Sequence, residues 1–211
     1  ESDRRDLREV INHLPEGIDK RGKRARLQEA AALVEFGRDL MGKAEGGIHT
    51  SVRKNAAVFR DGLQIALLAS RPLRLRNFWS MELGTSLVHR HDGWHIVCNN
   101  DEVKNHRSID MPFPDAMVDA LQTYIEKWRP LLAGRTYIGD RLWLSYWGRE
   151  QSMSGISGNL LRRTETAFGR GLCPQLFRDC VATSLAIHEP EIVRIASTIL
   201  GNAPATCEKY Y

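Results

Sequence analysis

The period of the apolar residues changes twice along this 211-residue chain, and that change limits the fold more than any other feature. Between Leu27 and Met41 the apolar positions recur at helical spacing: Leu27, Ala31, Val34 and Met41, with Leu33, Phe36 and Leu40 beside them. Gly42 and the Gly46-Gly47 pair are expected to end that helix. A second helix is predicted over Val52 to Ala69, with Phe59, Leu63, Ala66 and Leu67 inward, stopping near Arg71-Pro72. The period then falls to two. Trp79, Met81 and Leu83 alternate with other residues, as do Trp94, Ile96 and Cys98, and then Ile109, Met111 and Phe113. Asp92-Gly93 reads as a hairpin turn between the first two strands. A chain whose pattern runs helix, strand, helix in this way predicts an α+β fold, mostly α, with a small three-stranded antiparallel sheet.

Helical patterning resumes at Pro114-Asp115, with Val118, Leu121, Ile125 and Trp128 on one face. Leu142-Trp-Leu-Ser-Tyr reads as a short extended piece closed by Gly148. Ser154 or Ser157 is expected to cap a helix that runs to Phe168 and ends at Gly169 and Gly171. Pro174 opens a helix with Phe177, Val181, Ser184 and Leu185 buried. Pro190 opens the last one, carrying Ile192, Ile195, Ala196, Ile199 and Leu200, with Gly201 at its C-cap. Residues 1–24 are highly charged and broken by Pro15, Gly17 and Gly22, so they read as a linker or the tail of a preceding domain.

Composition removes several classes. No apolar run reaches membrane-spanning length, and the first residues do not read as a signal peptide, so no membrane association is expected. Cys98, Cys173, Cys180 and Cys207 lack paired metal spacing, which predicts reduced thiols and a cytoplasmic protein. The seven histidines show no metalloenzyme spacing either, so neither metal nor cofactor is expected. A net charge of +4 is compatible with an acidic polymer as partner. The arginines cluster at Arg21, Arg24 and Arg26, at Arg71, Arg74 and Arg76, and at Arg162 and Arg163.

The chemistry-bearing candidates are those that breaking a phosphodiester through a protein nucleophile requires. A tyrosine hydroxyl attacks phosphorus, arginine forks hold the non-bridging oxygens, and a lysine protonates the leaving oxygen. Arg74 follows a helix and lies between Leu73 and Leu75, in a run of three arginines that reads either as an anion-binding pocket or as a solvated helix end. Lys104 falls between the second and third strands. Gln175 and Arg178 stand three apart on one helix and are expected to point the same way. Asn202 follows the helix-ending Gly201, and Tyr210 and Tyr211 close the chain.

In combination these residues resemble the tyrosine recombinase, or phage integrase, family over roughly residues 25–211, its catalytic domain. Phe59-Arg-Asp-Gly-Leu-Gln-Ile-Ala-Leu-Leu-Ala with Pro72-Leu-Arg74 is similar to the helix and turn presenting the family's first arginine. Glu102-Val-Lys104-Asn is similar to its β-hairpin lysine. Pro174-Gln-Leu-Phe-Arg178-Asp resembles its His-x-x-Arg box, Ile199-Leu-Gly201-Asn202 its Leu-Gly-His box, and Thr206-Cys-Glu-Lys-Tyr-Tyr its nucleophile motif.

The resemblance implies that Arg74 and Arg178 clamp the scissile phosphate and that Lys104 is the general acid. It also implies that a terminal tyrosine forms a 3′-phosphotyrosine. The family's nine-residue step from Asn202 lands on Tyr211, whereas alignment on Thr-x-Glu-Lys-Tyr favours Tyr210. It further implies double-stranded DNA as partner, a homo-tetramer on paired sites, no small-molecule substrate, and residues 1–24 as a remnant of an N-terminal DNA-binding domain. Three positions depart from the family pattern: Gln175 where His is usual, Asn202 where His or Trp is usual, and Asn77 where Glu or Asp is usual. Gln175 and Asn202 donate hydrogen bonds but do not titrate near neutral pH, so acid–base help from those positions is lost. A weakened relative that regulates by binding DNA, and a type IB topoisomerase-like relaxase, are the alternative readings.

Overall fold

The computed structural model describes residues 26–98, 108–135 and 137–188. As expected, the described chain is mostly helical with one small antiparallel sheet. Helix α1 (Ala30–Glu45) packs along α2 (Val52–Ser70), and a short α3 (Leu75–Trp79) follows. The sheet comes next: β1 (Leu87–Arg90), β2 (Gly93–Cys98) and β3 (Ile109–Pro112), in that spatial order. A 3₁₀ turn at Asp115–Met117 leads into α4 (Val118–Thr123), a π segment (Tyr124–Trp128) and α5 (Arg129–Ala133). Helices α6 (Met153–Phe168) and α7 (Pro174–His188) complete it. The predicted helix from Pro190 lies outside the described residues.

Helix α2 is the centre of the molecule. From Asn55 to Ala69 nearly every residue is buried, so it has no solvent face after its first turn. The inward set read from sequence was therefore too narrow, since α1, α5, α7 and the π segment surround the same helix. Its closest approach to α1 is set by two glycines. A Cβ added at Gly37 would lie 2.6 Å from the Gly62 carbonyl oxygen, and one added at Gly62 would lie 2.6 Å from the Gly37 carbonyl oxygen. Neither helix can keep this spacing with a side chain at the crossing.

A tight hairpin joins β1 and β2 as expected, but one residue earlier than Asp92-Gly93: Arg90 pairs with Gly93 across the loop residues His91 and Asp92, and Gly93 opens β2 with φ of +120°. The first strand, however, is Leu87–Arg90 and not the Trp79–Leu83 alternation. Trp79 ends α3, while Glu82 and Leu83 make only isolated bridges. Three alternating positions are too few to separate a strand from a helix end followed by a turn, and Met81 is buried in either case. Helix α1 also runs through Gly42, and Gly46 forms its C-cap. The cap of α6 is Ser152, whose hydroxyl accepts from Gly155 N at 3.0 Å, and not Ser154 or Ser157; Gly169 ends that helix in the left-handed conformation.

The π segment precedes Pro130, which has no N–H for the regular ladder. Within it, Tyr124 donates to Leu142 O at 3.0 Å, and full burial pushes its phenol up to about 12. The two ends of the described chain meet. Arg26 donates to Gly171 O, Gln28 N to Cys180 Sγ at 3.3 Å, and Ala30 N to Ser184 Oγ at 3.0 Å. The first amide of α1 is thus satisfied by α7, because Glu29 makes no side-chain cap.

The glycine crossing is directly testable. Gly62→Ala raises intrinsic helix propensity, yet the clash forces α1 and α2 apart. Overpacking of this kind costs about 1–3 kcal/mol. Urea denaturation is expected to show a lower midpoint for Gly62→Ala, while Gly42→Ala, which meets nothing within 4 Å, is neutral or stabilising.

Candidate active site

Arg178 lies in the second turn of α7 and is only 5% exposed. Its Nη1 donates to Pro72 O at 2.5 Å, across 106 residues of sequence. That bond fixes the turn after α2. There Arg71 N donates to Leu67 O at 2.7 Å, and Leu73 N to Arg71 O at 2.7 Å. The buried pair Pro72 and Leu73 anchors the turn, and Arg74 follows as the extended N-cap residue of α3, its carbonyl accepting from Phe78 N at 3.0 Å. Arg74 is half-buried. The two arginines singled out from sequence therefore belong to one locus, tied through the Pro72 carbonyl.

The other members of the arginine run are placed differently. Arg71 donates to Pro112 O at 3.3 Å and to Ser70 O at 3.2 Å, so it braces β3, and burial lowers its pKa. Arg76 is exposed. The three arginines of the run thus differ in environment: Arg71 braces β3, Arg74 is half-buried and Arg76 is exposed. Gln175 also differs from expectation: it is exposed while Arg178 is buried. A step of three residues leaves the two side chains about 60° apart around the helix, enough to turn one outward. Asn77 is buried, and its Nδ2 has no hydrogen-bond partner among the described residues. Lys104, Asn202, Tyr210 and Tyr211 lie outside the described residues. Strands β2 and β3, which flank the Lys104 segment, pair antiparallel with Cys98 opposite Ile109.

A second polar locus was not singled out from sequence. Asp61, in the middle of α2, has a side chain only 3% exposed and is surrounded by donors. Its Oδ1 accepts from Arg60 Nη2 at 2.6 Å, Arg60 Nε at 3.1 Å and Asn159 Nδ2 at 3.3 Å. Its Oδ2 accepts from Arg163 Nε at 3.1 Å, with Arg163 Nη2 also 3.1 Å away. Arg60 Nη1 completes the cluster by donating to Leu144 O at 2.6 Å. Asp61 therefore ties α2 to α6, and its partner Arg60 ties α2 to the extended piece at Leu144. The available signal was Arg60-Asp61 inside a run that helical periodicity buries on every side.

This cluster forms the floor of a cleft of about 860 Å³ between α2, the 145–152 loop and the start of α6. Neither Arg74 nor Arg178 lines it. The two loci are linked by α3, since Trp79 Nε1 donates to Gln151 O at 2.8 Å and Gln151 is part of the cleft wall.

Asp61→Ala would leave Arg60 buried without its counter-charge. Breaking a buried pair by removing one partner costs about 3–5 kcal/mol. Thermal or urea unfolding is expected to show that loss for Asp61→Ala, while removal of the exposed Arg38–Glu35 pair changes stability by less than about 1 kcal/mol.

Neither a scan against protein-family models nor a search of curated proteins finds a match to this chain.

Proposed function

We propose that this chain is the catalytic domain of a site-specific DNA recombinase that cuts and rejoins strands through a 3′-phosphotyrosine. The observation that carries the reading is the Arg178–Pro72 bond, which joins the helix of the second arginine to the turn of the first. Two guanidinium groups carried by a helix and a turn that are joined in this way would suit a phosphodiester whose charge grows on the non-bridging oxygens. In this mechanism Arg74 and Arg178 hold the scissile phosphate. Tyr211, or Tyr210 beside it, gives up its phenolic proton to solvent as its oxygen attacks phosphorus, and the P–O bond to the 5′ oxygen breaks. Lys104 gives that oxygen its proton. The phosphotyrosine keeps the ester bond energy, so a 5′ hydroxyl rejoins the strand by reversing the steps.

Neither Gln175 nor Asn202 titrates near neutral pH, so protonation of the leaving oxygen falls on Lys104. The working assembly is a homo-tetramer on two double-stranded sites in the cytoplasm. Among the described residues no helix is long and apolar enough to cross a membrane. The exposed, non-titrating Gln175 favours one second reading: a relative that binds DNA without cutting it.

The test uses a nicked suicide duplex and mass spectrometry of the protein. The expected result is a covalent DNA adduct mapped to Tyr211 or Tyr210. Loss of one phosphate-binding donor should slow adduct formation by about 100-fold or more in Arg74→Ala. Duplex binding without an adduct would support the regulator instead.

A further inference from the structure

The cleft between α2 and α6 holds more positive charge than its own acids can balance. Both of its carboxylates are already engaged: Asp61 by Arg60 and Arg163, and Glu150 by Arg141 at 3.4 Å. Three exposed cations also line it: Lys54 from α2, Arg149 from the loop and Arg162 from α6. No carboxylate among the described residues lies within ion-pair distance of any of the three. Arg162 is steadied by a 2.6 Å bond to Asn159 Oδ1, the same residue that donates to Asp61. Charge delivered from three separate elements makes a tract, whereas a single small anion would need the donors to converge on one point.

An aromatic surface completes the cleft. Trp147 lines it and is 80% exposed, an unusual state for the largest side chain. Its neighbour Tyr146 meets it edge-on, with ring centroids 5.1 Å apart and planes at 85°. Tyr146 in turn lies beneath the Arg53 guanidinium at 5.7 Å. The indole is therefore braced at one side while most of its surface stays open to solvent.

We propose that this cleft binds a single-stranded stretch of nucleic acid, with Lys54, Arg149 and Arg162 along the phosphates and an unpaired base stacked on Trp147. A cationic groove with an open aromatic ring is the arrangement that single strands need, because every base has a π-face. A base-paired duplex has no free face to offer the ring. The inference deepens the DNA reading above by naming a second contact, away from Arg74 and Arg178.

The experiment is fluorescence anisotropy with a labelled oligo(dT) single strand and a duplex of equal length, across a salt series. Trp147→Ala is expected to weaken single-strand binding about tenfold or more and duplex binding less than twofold. Arg149→Ala with Arg162→Ala is expected to flatten the single-strand salt slope by about 1.4, for two lost phosphate contacts. Parent protein that fails to bind the single strand would overturn the proposal. So would Trp147→Ala binding within twofold of the parent, or an unchanged slope in the arginine variant. If Trp147→Ala binds normally but elutes at a smaller mass, the ring is a protein contact and the proposal is likewise overturned. A covalent adduct on the suicide duplex together with any of these failures would remove the single-strand cleft and leave the recombinase reading standing.

Discussion

Burial of α2 on every side is the constraint from which the rest follows. A helix with no solvent face must satisfy each polar group it carries, since an unpaired charge in such surroundings is far costlier than a paired one. Arg60 and Asp61 sit in its middle, and the fold answers by bringing Arg163, Asn159 and the Leu144 carbonyl to them. Those partners decide where α6 and the Leu142–Leu144 piece lie. The same burial demands close packing against α1, which Gly37 and Gly62 permit by having no side chains where the backbones meet.

Both polar loci are consequences of how this helix ends and what it anchors. At its C-terminus the chain turns within three residues, and Arg178 from α7 holds that turn by the Pro72 carbonyl. Along its middle, the Asp61 cluster consumes the buried charges and leaves the cleft's rim to exposed cations. Helix α3 joins the two, starting from Arg74 and ending at Trp79, which is bonded to the cleft wall. Charge in this protein thus has two uses. Arg60 and Arg163 are structural counter-ions, whereas Arg149 and Arg162 face outward.

The amphipathic helices α1 and α6 were legible in sequence because their burial is one-sided, and α2 was legible as a long apolar helix although its burial on every side was not. Strand β1 was not, because Leu87 and Val88 lack the long alternation that marks a half-buried strand, while Trp79, Met81 and Leu83 imitate it by chance. The cap of α6 turned on which of several serines reaches an amide, a matter of local backbone angles that composition does not encode. The burial of Arg178 was legible from its apolar neighbours. The Asp61 cluster was not, because its partners come from 98 and 102 residues away. The outward turn of Gln175 follows from a helical offset that a same-face reading rounds away.

The central claim is that Arg74 and Arg178 act on DNA as one unit through the turn between them. A double-mutant cycle measures it directly, using Arg74→Ala, Arg178→Lys and the combination, with affinity for a duplex oligonucleotide at fixed salt as readout. The account predicts strong non-additivity, with a coupling of about 1 kcal/mol or more, because loosening either residue already disturbs the other. Single effects that sum to the double within about 0.5 kcal/mol would contradict it.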